Sequence, residues 1–458
     1  MKKDTIAAIS TGTTNAGISI IRISGTDAFS IADQLFSPKK KGECCADWKS
    51  HTMHYGWIRD GEEILDEVLL SVMKGPNTYT TEDTVEINCH GGMLVTRAIL
   101  ELVLQSGARL AEPGEFTKRA FLYGRMDLSQ AEAVMDLIQA TNKQAAKNAA
   151  RQLSGRLQQK IRHIREQIIK NTAFIEAALD DPEHISLDGF TETLGEMTEY
   201  ALKELNQLCR QAESGRILKE GIRTVILGKP NAGKSTLMNA LVGEERAIVT
   251  DIPGTTRDTL EELIQLKGVA LRLIDTAGIR QTEDVVEKIG VEKAWKSAQD
   301  ADLILYVADS SVPLDENDEL LISTLPKEKL LVLLNKTDLP GTVTKERLKE
   351  KTGKDAILIS AKQETGIEQL TDAIEQLFYQ GVIDQKEEVF VTNLRQKQLL
   401  MEAKESLEQV KVSLELSMPE DFYSIDLMNA YRVLGEIIGE AVDDDLVNTI
   451  FQKFCMGK

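Results

Sequence analysis

The chain has 458 residues and a formal net charge of −19; at about 150 residues per domain that length predicts roughly three domains. Its 42% hydrophobic and 28% charged residues exclude wholesale disorder, and 31 Gly with 10 Pro exclude a collagenous or low-complexity chain. The acidic balance excludes a protein that coats nucleic acid over its whole surface, while leaving room for a local basic patch.

Residues 1–119 read as mixed α/β. Ile18-Ser19-Ile20-Ile21-Arg22-Ile23 and Thr84-Val85-Glu86-Ile87-Asn88-Cys89 have the alternation of strands. Leu94 to Leu104 places Val95, Ile99, Leu102 and Val103 at helical spacing, and Gly25, Gly91-Gly92 and Pro113-Gly114 mark turns. From 120 the texture changes to long helices. Leu153, Leu157, Ile161, Ile164 and Ile168 predict a single apolar stripe on one long amphipathic helix. Residues 140–170 hold eight Lys/Arg against one acid, Glu166. Lys143, Lys147 and Arg151 share a helical face there, which reads either as a solvated surface or as a contact for RNA or an acidic partner.

From 217, five apolar runs alternate with helices: Arg223 to Leu227, Leu271 to Ile274, Asp302 to Val307, Leu330 to Leu334 and Ala356 to Ile359. They predict a mostly parallel sheet covered on both faces. After 381 helical spacing returns, in Leu399-Leu400, Leu407, Val410 and Leu414, then in Leu434, Ile437 and Ile438. The economical architecture is multidomain, α+β and α/β. It has an N-terminal domain over 1–119, a helical domain in two parts (120–216 and 381–458), and an α/β domain inserted over 217–380.

No apolar run approaches the ~18 residues of a membrane span, and the opening residues lack the apolar stretch of a signal peptide. The five cysteines, Cys44, Cys45, Cys89, Cys209 and Cys455, show no CxxC spacing. They read as free thiols of a reducing cytoplasm rather than a zinc site or a disulfide framework. His90, before Gly91-Gly92, reads as part of a turn. Cys455 stays open between a packing thiol and a reactive one.

Gly228-Lys229-Pro230-Asn231-Ala232-Gly233-Lys234-Ser235 fits GxxxxGK[ST] between a strand and a helix that includes Thr236. Glycines there let backbone N–H groups approach phosphate oxygens. Lys234 suits the β/γ-phosphates of a nucleotide and Ser235 a Mg²⁺ ion. Asp275-Thr276-Ala277-Gly278 follows the next strand, where an Asp suits the magnesium shell and a Gly N–H the γ-phosphate. Asn335-Lys336-Thr337-Asp338 follows a later strand. Its carboxylate suits the guanine N1–H and 2-amino donors, a pair adenine lacks, so the motif selects GTP. Ser360-Ala361-Lys362 suits a backbone contact to guanine O6. The four motifs in this order resemble the Ras-like GTPase superfamily over 217–380. One departure is chemical. Where many GTPases carry a water-orienting Gln, this chain has Ile279, and a polar group must come from among Arg280, Gln281, Glu283, Asp284 and Glu287.

Thr250-Asp251-Ile252-Pro253-Gly254-Thr255-Thr256-Arg257-Asp258, with Asn231, resembles potassium-dependent GTPases that bear a hydrophobic residue in place of that Gln; ribosome-assembly GTPases are among them. The ends of the chain narrow the choice. Asp4-Thr5-Ile6-Ala7-Ala8, Ile21-Arg22-Ile23-Ser24-Gly25, Pro113-Gly114-Glu115-Phe116-Thr117-Lys118-Arg119-Ala120-Phe121 and Phe454-Cys455-Met456-Gly457-Lys458 resemble the MnmE (TrmE) family of tRNA-modification GTPases, over the whole chain. Two local departures are the loop Ser10 to Gly17, which lacks the proline pattern of many relatives, and Met456 in place of Ile.

That resemblance implies a cytoplasmic homodimer working with an FAD-dependent partner of the MnmG family. It implies an aminomethyl or carboxymethylaminomethyl group installed on carbon 5 of the wobble uridine of certain tRNAs. The one-carbon unit is carried by a tetrahydrofolate derivative, 5-formyl or methylene, bound by the N-terminal domain at Arg22, Glu86, Arg125 and Lys458. Two basic side chains suit the glutamate carboxylates of folate and one carboxylate suits its pterin edge; Arg125 is Lys in some relatives. The GTP residues are Asn231 to Thr236, Thr250 to Thr256, Asp275 to Gly278, Asn335, Lys336, Asp338 and Ser360 to Lys362. Ser235 and, by the resemblance, Thr256 are the expected Mg²⁺ ligands. The same resemblance points to K⁺ held by Asn231, Thr250, Ile252 and Thr255, and to Glu287 as the catalytic carboxylate, acting through a bridging water. A ribosome-assembly GTPase is the alternative, with the −19 charge and the folate-like N-terminal segment against it. A folate-binding scaffold whose GTPase only controls assembly is a third reading.

Overall fold

The computed structural model of the chain describes residues 4–455 and 457, apart from 13, 41, 141, 187–188, 245–261, 267–268, 275–297, 380–390, 441, 443 and 453. The chain divides into two compact units. One comprises 1–139, 149–202 and 402–458, the other 140–148 and 203–401.

The first unit is built on a seven-stranded sheet. Its strands are β1 (Ile6–Ile9), β2 (Ile18–Ser24), β3 (Phe36–Pro38), β4 (Thr52–Asp60), β5 (Glu63–Met73), β6 (Thr84–His90) and β7 (Arg109–Leu110). They run β3-β4-β5-β6-β2-β1-β7, antiparallel except for the parallel β1–β7 pair. Helices α1 (Ala28–Leu35) and α2 (Met93–Gln105) bury Ile31, Leu35, Ile99 and Val103 with Ile21, Ile23, Val85 and Ile87 of the central strands. Alternation sends the intervening residues to the opposite face. Arg22 of β2 lies directly across from Glu86 of β6.

Helices α3 (Glu115–Leu122), α4 (Leu128–Gln139), α5 (Lys143–Leu153), α6 (Arg156–Asp180) and α7 (Phe190–Glu220) follow. The single long helix expected through Leu153 and Ile168 is in fact two. Ser154 and Gly155 close α5 with bonds back to Ala150, Arg151 and Gln152, and Gly155 takes φ 80°, a conformation that ends a helix. Leu153 therefore belongs to α5, while Leu157, Ile161, Ile164 and Ile168 form the buried stripe of α6. Helix α7 runs through residue 217 without a break.

The second unit carries strands β8 (Ile222–Leu227), β9 (Glu262–Leu266), β10 (Val269–Leu273), β11 (Leu303–Asp309), β12 (Leu330–Asn335) and β13 (Ala356–Leu358), with helices α8 (Lys234–Glu244), α9 (Glu316–Thr324), α10 (Lys345–Thr352) and α11 (Ile367–Tyr379). The order is β13-β12-β11-β8-β10-β9. All pairs are parallel except β9–β10, an antiparallel edge that the sequence reading missed. Apolar clusters lie on both faces, around Leu237, Leu241 and Leu370 on one and Ile304, Ile322 and Leu348 on the other.

The chain ends with α12 (Leu394–Glu415), α13 (Glu420–Ile438) and α14 (Asp444–Phe451). Within the first unit α13 packs on α6. The buried Arg165 donates to the Tyr431 carbonyl at 3.1 Å and pairs with Glu440. The tail then reaches the N-terminal sheet. Ser10 Oγ donates to the Gly457 carbonyl at 3.0 Å, and Gly114 N–H to the Cys455 carbonyl at 3.2 Å. Gly114, at φ 69°, must be glycine, because a Cβ would lie 2.7 Å from both the Phe451 carbonyl and Phe454 Cβ. Phe451 and Phe454 are buried, whereas Cys455 is exposed, so the packing-thiol reading of Cys455 does not hold.

The Pro113-to-Phe121 motif is an ionic keystone. Arg119, 6% exposed, donates to the Asp4 carboxylate at 2.7 Å, to both Glu82 oxygens at 3.1 Å and to Glu115 at 3.1 Å. Arg109 pairs with Glu115 at 2.6 Å and Asp4 at 2.8 Å. Burial works to raise the Glu115 pKa, but Arg109, the Glu112 N–H and Arg119 outweigh it and hold the carboxyl below its ordinary value. Asp4 is held low in the same way by both arginines. Carboxylates with depressed folded-state pKa values stabilise the fold above their unfolded values, and the contribution is lost as pH falls through the depressed ones. Removing one partner of such a cluster strands buried charge. Arg119→Met is therefore expected to cost roughly 3–5 kcal/mol at neutral pH, measured by denaturant unfolding, and to flatten the loss of stability below about pH 4. A cost near that of an exposed pair, under about 1 kcal/mol, would contradict the keystone role.

Candidate functional site

The loop after β8 lies at the carboxyl end of the parallel strands, where open α/β sheets bind ligands. Gly228 has φ 146° and packs with its Cα on the Val307 carbonyl, leaving no room for a Cβ; Gly233 has φ 94° and packs on the Asn335 amide in the same way. Between them Asn231 takes a left-handed φ of 62°. The result is a tight turn that feeds directly into α8, whose first residue is Lys234. Its ammonium donates to the carbonyls of Gly228 and Lys229 at 2.7 and 2.6 Å, and burial holds its pKa below the ordinary lysine value. Asn231, Ser235 and Thr236 are exposed at the same place, and Ala232 is buried beneath them.

Asn335, at the end of β12 and 2% exposed, bridges this loop to the next. Its Nδ2 donates to the Ala232 carbonyl at 2.9 Å, and its Oδ1 accepts from the Ala361 N–H at 3.0 Å. Ser360 Oγ donates to Asp338 Oδ1 at 2.7 Å. That bond, ahead of the charges of Lys362 and Lys336, holds the Asp338 carboxyl below its ordinary pKa. Asp338 is thus an exposed, ionised acceptor. Lys336, at φ 62°, pairs with Asp309 at 2.6 Å, and its carbonyl accepts from Ser310 Oγ at 2.9 Å. Lys362 is exposed beside Asp338. The structure therefore brings together Asn231 to Thr236, Asn335, Lys336, Asp338 and Ser360 to Lys362 at one end of one sheet. Thr250, Asp251, Ile252, Pro253, Gly254, Thr255, Thr256, Asp275, Thr276, Ala277, Gly278, Ile279 and Glu287 lie outside the described residues, as do Met456 and Lys458.

In the first unit, two of the four expected folate residues, Arg22 and Arg125, converge on one aromatic ring, and a third, Glu86, is held by Arg22. Arg22 Nε donates to Glu86 Oε1 at 2.8 Å. The Arg22 guanidinium carbon lies 5.4 Å from the Tyr79 ring centroid and 5.5 Å from that of Phe116, and the Arg125 carbon lies 4.8 Å from Tyr79. These are cation–π separations. Tyr79 Oη is fixed by the Thr117 hydroxyl at 2.9 Å, so the keystone helix α3 also sets the ring. Sequence reasoning missed Tyr79, Phe116 and Thr117 as neighbours of the arginines. Tyr79 sits in a turn-rich stretch without periodicity, and Phe116 reads there only as part of a motif.

Two family models match, described as the MnmE helical domain over residues 128–455 and the GTP-binding protein TrmE N-terminus over 5–125. The chain belongs to the MnmE family of tRNA-modification GTPases. It is 57% identical to the tRNA modification GTPase MnmE of Lachnoclostridium phytofermentans, across the full length of both chains. It is 49% identical to that of Clostridioides difficile over 99% of each, and 46% identical to that of Bacillus subtilis over 99% of this chain and 100% of the other. The matches span nearly the whole chain, so the family assignment does not rest on the glycine loop alone.

Proposed function

We propose that this chain is a potassium-dependent GTP hydrolase of the cytoplasm, acting as a homodimer with an FAD-dependent MnmG-type partner. The pair adds an aminomethyl or carboxymethylaminomethyl group to carbon 5 of the uridine at position 34 of certain tRNAs, using a one-carbon unit borne by tetrahydrofolate. Residues 1–119 bind the folate and dimerise, 120–216 with 381–458 form the helical domain, and 217–380 the GTPase domain. The Asn335 bridge carries the reading. It sets a GxxxxGK[ST] loop and an ionised Asp338 side by side, in a chain related throughout to tRNA-modification GTPases.

Asp338 accepts the guanine N1–H and 2-amino groups, charge-assisted bonds that a neutral acceptor would make more weakly. Lys234 turns from the loop carbonyls to the β/γ-phosphates, whose charge compensates its burial. The oxygen donors fit hard cations. Ser235 and Thr256 would hold Mg²⁺ near Asp275. The Asn231 amide oxygen, the Thr250 and Ile252 carbonyls and Thr255 would hold K⁺. A bound K⁺ would supply positive charge where the β–γ region becomes more negative. Ile279 has no polar group to orient water, so Glu287 does so through a second water. In the first unit Arg22, Glu86, Arg125 and Lys458 bind the folate, two basic side chains suiting its glutamate carboxylates and one carboxylate its pterin edge.

Purified protein is expected to hydrolyse GTP faster in K⁺ than in Na⁺, and Glu287→Ala to lose most of the rate while still binding GTP. Equal rates in the two salts, or wild-type single-turnover hydrolysis by Glu287→Ala, would refute those roles. The wider reading is tested by nucleoside analysis of tRNA from cells lacking the chain. The modified wobble uridine should disappear and return with the wild-type chain. It should not return with Arg22→Ala, whose GTP turnover should persist. Unchanged nucleosides in the deletion would remove the proposed function.

A further inference from the structure

The second residue of the glycine loop is a lysine whose charge is paired with two acids at the start of α9. Lys229 Nζ lies 2.6 Å from Asp315 Oδ2 and 2.5 Å from Asp318 Oδ2. Burial opposes its charge, yet the two carboxylates hold the ammonium above its ordinary pKa. The anchor is rigid. Asp318 is 4% exposed, and its other oxygen accepts from Tyr306 Oη at 2.9 Å; Tyr306 is fully buried in β11. The two acids also close the start of α9 reciprocally. Asp315 Oδ1 accepts the Asp318 N–H at 3.1 Å, and Asp318 Oδ2 the Asp315 N–H at 3.2 Å.

Lys229 is thereby held from both sides. Its side chain is drawn to α9, while its carbonyl accepts from Lys234 at 2.6 Å. At the far end of the loop, Ala232 is held by Asn335. We infer that Lys229 is a positioning residue for GTP: it fixes the start of the phosphate loop from behind, through Asp315 and Asp318, and does not itself touch phosphate. This rests on the reading of Gly228 to Ser235 as the phosphate loop.

The two possible roles of Lys229 predict opposite signs for its partners. If Lys229 positions the loop, freeing it by Asp318→Asn loosens the loop and weakens GTP. If it were a phosphate ligand restrained by acids, the same change would tighten GTP. The test is titration of the full-length chain with a fluorescent GTP analogue, alongside steady-state turnover. Lys229→Met is expected to weaken binding about tenfold, within the span of coupled charge pairs, with the effect on KM exceeding that on kcat. Lys229→Arg should recover most of it. Asp318→Asn should weaken binding by a smaller factor, and the double variant should be no weaker than Lys229→Met. The half-exposed Asp315→Asn provides the same sign test if Asp318→Asn fails to fold. Tighter binding in either acid variant, unchanged binding in Lys229→Met, or fully additive losses would overturn the inference. Lys234→Met separates the two levels. If it binds GTP like wild type, the phosphate-loop reading itself is wrong; if it loses GTP while the Lys229 variants do not, only the positioning role is wrong.

Discussion

The carboxamide of Asn335 has two ends, and both are used on backbone. One holds the Ala232 carbonyl and the other the Ala361 N–H. These two groups follow β8 and β13, and Asn335 itself ends β12, so one amide ties together the ends of three strands. Because the amide is buried, neither bond is in competition with water, and losing it would leave buried donors and acceptors unsatisfied. Other features follow from this one constraint. Gly233 is glycine because the Asn335 amide occupies the space a Cβ would need. Ser360, one residue before Ala361, is brought within 2.7 Å of Asp338. The loop suited to phosphate and the carboxylate suited to a base are thus set at a fixed separation before any ligand arrives, the preorganisation that makes binding inexpensive in entropy.

The first unit has its own keystone of a different kind. Arg119 joins Asp4 before β1, Glu82 before β6 and Glu115 at the start of α3. The same helix places Thr117 on Tyr79, and Tyr79 stands between Arg22 and Arg125. Glu82 also accepts from Ser24 at 2.9 Å, at the end of β2. A motif that the sequence offers only as a family mark is, physically, a set of charged and hydroxyl groups that orient a cationic pair. Gly114, in turn, admits the two phenylalanines of the C-terminal tail.

Much of this was legible before the structure. The five apolar runs of the inserted domain became β8, β10, β11, β12 and β13 because strands buried on both faces are apolar throughout. Motif spacing marked the glycine loop as a tight turn after a strand because that turn needs a particular backbone geometry: φ values open to Gly228 and Gly233. The failures have equally local causes. The stripe through Leu153 and Ile168 keeps its period across Ser154-Gly155, so periodicity alone hides a break that the φ of Gly155 imposes. The edge strand β9 is short and, among the described residues, pairs only with β10. Tyr79 and the acids behind Lys229 depend on contacts between residues distant in sequence, which no local pattern encodes.

The most direct test of the account is the base preference of Asp338→Asn. Xanthine carries a carbonyl where guanine carries its 2-amino group. An Asn amide can donate to that carbonyl, but it cannot repeat the double acceptance that a carboxylate offers guanine. Measured by competition binding on the full-length chain, Asp338→Asn should lose GTP affinity by at least about tenfold and gain affinity for xanthosine triphosphate. A variant that binds GTP as tightly as wild type, with no gain for the xanthine nucleotide, would contradict the assignment of this loop to guanine.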